Sequence, residues 1–494
     1  MSHAWRMTTT VSPTPQASAA STKPWWRRLL GRPSDWHLRR PSLRIGRPRL
    51  AWLGPIAVVV STLVGWYAFQ GAQGEEGGSV SFGLFIGAAS VVLMAWSFVL
   101  AIRLRFLERF FGGLDSMYRV HRWAGSLAVV AMFWHTSAEP EIEGGIKGAS
   151  ESLAEQAEGL ASTGEMMLYI LVGLSLLRWF PYRIWRWTHK LLGIPFAFAS
   201  WHFFTAEKTY ANNSPWGWYF GAIMAAGLAA WVWRTGVISM LLPGHRYRVS
   251  NTELQGATLT LDLAADGRPM KHKAGQFAVL KIQKKGLIEP HVFTIASPPD
   301  ADQLRFYIRD LGDWSGKIQH HDLIGERVIV EGPYGTFDPY GHGDGALIWV
   351  AGGVGITPFL SAIAALPAGV DVVDRPTLIY CVPTENDASA IDAMRQAEAD
   401  GRIRLEVFAS REGRRFSPEG FIDVVGDRLA GAHVAACGPA GLVADVADLS
   451  RKGGAAEVET EDFDIRSGFG PDMSREVDQV LTERLDRRRD RSRA

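Results

Sequence analysis

The chain is 494 residues long, more than one hydrophobic core can serve, so two to four domains are expected. Its 52 Lys and Arg balance 51 Asp and Glu, for a formal charge of +1, which excludes a dedicated nucleic-acid binder. Two cysteines, Cys381 and Cys437, exclude a disulfide framework.

Residues 1–50 are polar and basic, with Arg27, Arg28, Arg32, Arg39 and Arg40 among many cations and Asp35 as the one acid. The Thr-, Ser-, Pro- and Ala-rich stretch 8–24 reads as largely disordered. The first apolar run begins near residue 51, so no secretory signal is expected. Six apolar segments follow, at about 51–70, 82–102, 119–137, 164–181, 188–206 and 217–242. Each is close to the ~20 residues that a helix needs to cross a bilayer core. The connections at 103–119 (Arg103, Arg105, Arg109, Arg119) and 178–190 (Arg178, Arg183, Arg186, Lys190) are basic. The others carry Glu75, Glu76, Glu139, Glu141, Glu143, Glu151, Glu155 and Glu158. Basic loops stay inside, so both termini are placed in the cytoplasm and the acidic loops outside.

The third segment reads HRWAGSLAVVAMFWH, from His121 to His135, and the fifth reads HKLLGIPFAFASWH, from His189 to His202. Both run from inside to outside, so His121 and His189 share an inner level and His135 and His202 an outer one. At 1.5 Å per residue the levels are ~20 Å apart, which suits two stacked porphyrins, each iron held by one imidazole from each helix. A lone histidine at a helix end is commonly interfacial, but two matched pairs in apolar segments favour ligation. The separations differ: 14 residues return to within ~40° of the same face, whereas 13 leave the pair ~140° apart. The fifth helix therefore needs a distortion, and Pro195 between its histidines is a place for one.

Residues 245–340 alternate apolar and polar in short runs and predict six strands of a small antiparallel barrel. Residues 345–466 alternate strands and helices and predict a parallel α/β sheet, with 467–494 as a basic tail. HVFTIASPPD and RFYIRDLGDWSG, at 291–300 and 305–316, bring together an aromatic, a hydroxyl and cationic groups of the kind a flavin dinucleotide needs. Alone they fit an ordinary barrel strand equally well. AGGVGITP, at 351–358, and ACGPAGL, at 436–442, are Gly-containing strand-to-helix turns where a phosphate fits, although such turns also serve tight packing.

Paired histidines, then HVFT, YIRDLGDW, GPYGTF, AGGVGITPF and CGP in this order resemble the ferric reductase and NADPH oxidase superfamily of transmembrane flavocytochromes, over about residues 50–465. The resemblance implies a six-helix haem domain at 51–242, an FAD-binding barrel and an NAD(P)-binding domain like that of ferredoxin–NADP reductase. It implies two haems b, held by His121 with His189 and by His135 with His202. It places His291 and Arg309 near the FAD pyrophosphate, Phe293 against the isoalloxazine and Thr294 near N5; Val292 stands where the family motif has proline. Gly352, Gly353, Gly355, Thr357, Pro358 and Gly438 would hold the nicotinamide nucleotide, with Cys437 beside the reacting ring. Phe463 would cover the flavin, with Phe469 as its rival. FASREGRRF resembles a 2′-phosphate segment, so Ser410 and Arg411 favour NADPH over NADH. The expected activity is electron transfer from NADPH through FAD and two haems to an extracytoplasmic acceptor, in a bacterial inner membrane and in contact with its lipid. Ferric iron is the preferred acceptor because the outer loops are acidic; dioxygen or a periplasmic protein remain alternatives. A redox sensor and a membrane-anchored flavin reductase with structural histidines are the competing classes. No EF-hand loop is found.

Overall fold

The computed structural model describes residues 49–70, 78–138, 140, 142, 144–177, 182–236, 244–310, 313–342, 344–369 and 375–462. Both terminal segments lie outside these residues, as do Glu75, Glu76, Glu139, Glu141, Glu143 and Arg178, on which part of the topology reading rests.

The first half is helical. Its elements are α1 (Leu53–Val64), α2 (Gly78–Ala101), α3 (Arg105–Phe111), α4 (Leu114–Ala138), α5 (Glu151–Leu176), α6 (Tyr182–Lys190), α7 (Gly193–Thr205) and α8 (Pro215–Thr235). A one-turn helix, Trp66–Phe69, extends α1. Among the described residues three stretches are long and apolar enough to cross a membrane: Leu50–Phe69, Val80–Ala101 and Glu151–Leu176. The others depart from that pattern for local reasons. α4 opens on LDSMYRVHR, which carries Asp115, Arg119 and Arg122. The fifth segment is split into α6 and α7, of 9 and 13 residues. α8 is rich in Trp and Gly and ends on Arg234. α5 starts well before its apolar segment, so Glu151, Glu155 and Glu158 stand exposed on its first turns.

α2 runs through the middle of this half, with Val91, Val92 and Ala95 buried beside Ala124 and Ala128 of α4, Phe196 of α7 and Met224 of α8. Small residues let the backbones approach, close enough for Ser90 Oγ to donate to Ala128 O at 3.0 Å. Trp123, Phe133, Trp134, Trp187 and Trp218 point outward, and Trp218 is 72% exposed. Surfaces of that kind are avoided in water and expected in lipid.

The break between α6 and α7 falls ahead of Pro195, which has no N–H to continue the ladder. Leu191 N donates to Thr188 O at 3.0 Å and Ile194 N to Leu191 O at 2.9 Å, which are three-residue turns. Such turns advance ~120° per residue instead of ~100°, which rotates His202 back toward the face of His189. Lys190 O, deprived of Ile194 N, accepts from Trp231 Nε1 at 2.8 Å. The indole lies flush on the break: a Cβ on Gly193 would be 2.0 Å from it.

The second half contains two sheets. The first is antiparallel, in the order β4-β3-β6-β1-β2-β5, built from β1 (His245–Gln255), β2 (Thr258–Ala265), β3 (Phe277–Ile282), β4 (His291–Thr294), β5 (Gln303–Arg309) and β6 (Arg327–Tyr334). Alternating residues such as Leu261, Leu263, Leu280, Phe306 and Val330 fill its core. β4 and β5 are its end strands in place of the closed ladder of the expected barrel, although the chain leaving β4 reaches β5 through Ala296 N and Arg305 O at 2.9 Å. The second sheet is parallel, in the order β11-β10-β7-β8-β9, from β7 (Leu347–Gly352), β8 (Thr377–Val382), β9 (Arg404–Ala409), β10 (His433–Gly438) and β11 (Glu457–Asp462). Chain order reverses between β7 and β10, the place where open α/β sheets bind ligands. Helices α10 (Thr357–Ala365), α11 (Ile391–Ala399), α12 (Pro418–Val425) and α13 (Ala440–Lys452) cover this sheet, while the single turn α9 (Asp313–Ile318) belongs to the first. Val279 and Tyr334 are buried in the helical half's own core, with Phe277 and Val292 packed on it, so the antiparallel sheet docks directly on the helices.

Candidate functional site

The four histidines meet in two places. The His121 and His189 rings lie with centroids 6.1 Å apart and their planes at 63° to one another. His121 Nδ1 lies 2.8 Å from Ser97 O on α2, and His135 Nδ1 lies 2.9 Å from Gly83 O on the same helix. A carbonyl only accepts, so each Nδ1 carries the proton and each Nε2 keeps a free lone pair. His189 Nδ1 is 3.0 Å from Ser175 Oγ, whose hydroxyl is already donated to Leu171 O at 2.8 Å. The same tautomer follows. Orienting bonds of this kind are characteristic of imidazoles that ligate metals. His202 lies within electrostatic range of His135, and its buried Nδ1 has no partner. Gly87 makes the outer arrangement possible, because a Cβ there would stand 2.6 Å from His135 Nδ1.

Metal–imidazole bonds of about 2 Å on both sides of one ion put two ring centres ~6 Å apart, and the inner pair has that spacing. Among the described residues no cluster of three or more His, Cys, Asp or Glu could hold a metal unaided. A metal shared by either pair needs equatorial ligands from elsewhere, and a porphyrin supplies four. The inner pair therefore fits a haem by its spacing, and the outer pair offers the same two imidazoles.

On the antiparallel sheet, β4 pairs with β3 in the register Leu280↔His291, Ala278↔Phe293 and Phe277↔Thr294. His291 and Phe293 fall on one face, where Trp314 of α9 stacks on both, at 4.1 and 5.8 Å. Val292 lies on the other and faces the helical half. Thr294 is buried. The residues implied for the flavin are thus split across two faces, and Phe293 packs against the sheet core. Val292, in the motif's proline position, is the residue turned toward the helical half. His291 Nε2 is buried without a hydrogen-bond partner and lies 4.0 Å from Glu289 Oε2. Burial, and then the charge of Arg186, push its pKa down to about 4, so at neutral pH it offers a hydrogen bond and no positive charge.

Arg309, at the end of β5, reaches the nucleotide turn: its Nη1 is 3.1 Å from where a side chain on Gly353 would begin. Gly353 has a φ of 54°, which only glycine adopts freely. The other glycines are needed for packing. A Cβ on Gly355 would stand 2.2 Å from Cys437 O, and one on Gly438 2.9 Å from the Gly352 backbone. The turns at 351–358 and 436–442 are packed back to back at the switch point, with their backbones in close approach. Thr357 Oγ1 donates to Val354 O at 3.1 Å and Pro358 stands in the first turn of α10. Cys437 is fully buried. Ser410 and Arg411 are exposed just beyond β9, where their backbone N–H groups donate to Val382 O and Pro383 O at 3.0 and 2.8 Å. Phe463 and Phe469 lie outside the described residues, one and seven positions past the end of β11.

Ser97, Ser175, Gly87 and Trp231 were not legible as site residues, because each acts through a contact far away in sequence. Lys208 was missed for another reason: the charge of the outer side was weighed on the earlier loops alone.

A helical half with paired histidines, joined to a flavin-type sheet and a nucleotide-type sheet, defines a membrane NAD(P)H-dependent oxidoreductase. Three family descriptions match in chain order: "Ferric reductase like transmembrane component" over 86–200, "FAD-binding domain" over 246–338 and "Oxidoreductase NAD-binding domain" over 349–448. The chain belongs to the ferric reductase and NADPH oxidase superfamily. It is 32% identical over 123 residues to methane monooxygenase component C of Methylosinus trichosporium, covering 24% of this chain and 35% of that one. It is 28% identical over 111 residues to NADPH oxidase 1 of Mus musculus, covering 22% of this chain and 19% of that one. Among solved structures, the flavohem-like FAD/NAD binding domain of nitric oxide dioxygenase from Vibrio cholerae aligns with 45% of this chain and 99% of its own, at 15% identity and a TM-score of 0.38.

Proposed function

We propose that this chain carries electrons from cytoplasmic NADPH to ferric iron outside the membrane, with FAD and two haems b as its carriers. The observation that carries this reading is the inner ring pair, His121 and His189 at 6.1 Å, with both Nδ1 atoms bonded to the polypeptide and both Nε2 atoms left free. Bound flavin converts a two-electron hydride into single electrons, which a haem iron accepts one at a time.

The residues divide the work. Gly352, Gly353, Gly355, Thr357, Pro358 and Gly438 seat the nucleotide, and Cys437 shapes the floor beneath its nicotinamide. Ser410 and Arg411 select the 2′-phosphate. His291, Phe293, Thr294 and Arg309 hold the flavin, and Phe463, or its rival Phe469, covers it. His121 and His189 ligate the inner iron, His135 and His202 the outer one. The bundle has six spans, with the termini and the reductase sheets in the cytoplasm of a bacterial cell.

Ferric iron is favoured over dioxygen by the mouth of the bundle. Glu151, Glu155 and Glu158 are exposed on the first turns of α5 and attract cations. The buried cation on that side, Lys208, has all three donors on backbone carbonyls, so none is free for an anionic oxygen species. Protein reduced anaerobically with NADPH and FAD, then mixed with a cationic ferric complex or dioxygen, tests the acceptor through the haem bands. Faster reoxidation by ferric iron is expected. Faster reoxidation by dioxygen, with superoxide detected, overturns the acceptor, and absence of a haem band overturns the relay.

A further inference from the structure

A lysine is buried at the outer end of α7, where an uncharged residue would cost less. Lys208 is 3% exposed. Its ammonium donates to Phe203 O at 2.8 Å, Ala206 O at 3.0 Å and Phe204 O at 3.3 Å. These are carbonyls that a helix leaves open at its C-terminus. Three hydrogens on three carbonyls exhaust the donors of an ammonium, which is therefore charged and fixed. The backbone around it is also tied down. Ile146 and Lys208 exchange hydrogen bonds of 2.7 and 3.1 Å, and Asn212 Nδ2 donates to Phe204 O at 2.9 Å. Among the described residues no carboxylate lies within ion-pair distance of the ammonium.

Capping a helix does not require this charge: α3 in the same half ends on Gly112 in the left-handed conformation, with the Gly112 N–H on Glu108 O. What sets Lys208 apart is its neighbour. Its ammonium sits on the carbonyls of Phe203 and Phe204, the two residues that follow His202 in the chain, and the opposite charge of Glu158 also acts on the His202 ring. Glu158 is exposed and screened by solvent, whereas Lys208 is buried and is not.

We propose that Lys208 sets the reduction potential of the outer iron, favouring its ferrous over its ferric state and so drawing the electron outward from the inner pair. The transfer is a one-electron exchange in which the inner iron is oxidised as the outer is reduced, and no proton moves. The inference rests on the reading that His135 and His202 hold a haem. Lys208 is a positioning residue for charge and touches no substrate.

The test is a spectroelectrochemical titration of the full chain, with both haem signals resolved, for the wild type, Lys208→Gln, Lys208→Arg and Glu158→Gln. At a fixed applied potential the reduced-to-oxidised ratio of the outer haem should fall about tenfold in Lys208→Gln, which is about 59 mV for one electron. The inner haem should not move, and Lys208→Arg should match the wild type. Glu158→Gln should shift the outer ratio the other way, by less. An unchanged outer ratio in a Lys208→Gln protein that keeps both haems overturns the inference. So does loss of the outer haem in Lys208→Gln and Lys208→Arg alike, which makes the side chain a structural cap. Should Lys208→Gln alone shed the outer haem, Glu158→Gln decides: an upward shift supports the field, and no shift overturns it. A wild-type chain lacking a second haem fails the reading of His135 and His202, and this inference with it.

Discussion

Gly87→Ala removes nothing and adds one methyl, which makes it a sharp probe of the outer histidine pair. The added Cβ would stand 2.6 Å from His135 Nδ1, 2.7 Å from its Cε1 and 2.9 Å from its Cγ. Non-bonded contacts need ~3.5 Å, so the ring must retreat by about 0.9 Å. Nδ1 now sits 2.9 Å from Gly83 O. A retreat of that size away from α2 breaks the bond, at about 0.5–1.5 kcal/mol, and overpacking adds about 1–3 kcal/mol. Together, about 1.5–4.5 kcal/mol falls on the outer site, a loss of roughly 10- to 2,000-fold in its hold on a ligand. Haem stoichiometry on purified protein should therefore drop from two toward one per chain, with the inner spectrum intact. Gly173→Ala is the matched control: Gly173 is also in a helix of this half, and nothing lies within 4 Å of its added methyl. A Gly87→Ala protein with two haems and unaltered spectra would refute the placement of His135.

Other substitutions test separate parts of the structure. Trp231→Phe keeps the ring against Gly193 but removes the donor to Lys190 O, and should lower the unfolding free energy by about 1–3 kcal/mol, read by thermal denaturation in detergent. His291 has a folded pKa of about 4 against an ordinary 6.5, so the unfolded chain binds the extra proton between these values. Stability of the flavin sheet should be full above about pH 6.5 and fall as pH drops toward 4; His291→Gln should flatten that limb of the profile. Burial pushes the Cys381 thiol up to about 12 and Cys437 is fully buried, so neither should alkylate with iodoacetamide at pH 8 until the chain is unfolded. Arg411→Ala should raise the KM for NADPH about tenfold and leave that for NADH unchanged; equal effects on both would remove the 2′-phosphate assignment.

What could be read from the sequence follows from periodicity. Two residues placed 14 apart in an apolar run must share a helix face, so the level of His121 and His135 was fixed by counting. The separation of 13 between His189 and His202 demanded a distortion, and Pro195 marked where it falls; what holds the break could not be read. That is Trp231, a residue 41 positions from Lys190, and no local pattern announces such a contact. Strand alternation told which residues of HVFT share a face, but not which face meets the helices; that depends on how Phe277, Val279, Val292 and Tyr334 dock. The glycines of AGGVGITP were visible as a turn, while the division between backbone conformation at Gly353 and close packing at Gly355 appears only in three dimensions. Lys208 drew no notice in the sequence, because burial is a property of the tertiary fold.

The interrupted helix also bears on how the protein is made. In the proposed bundle α6 and α7, of 9 and 13 residues, are each too short to hold a transbilayer position alone. The carbonyl exposed by their junction gains its partner from a residue 41 positions later in the chain. The fifth span therefore settles fully only once most of α8 has been made. Until then the phase between His189 and His202 is held less firmly, and on the proposed reading haem loading is favoured late in biogenesis. Shifting Trp231 by one position within α8 would disturb that timetable without touching a ligand.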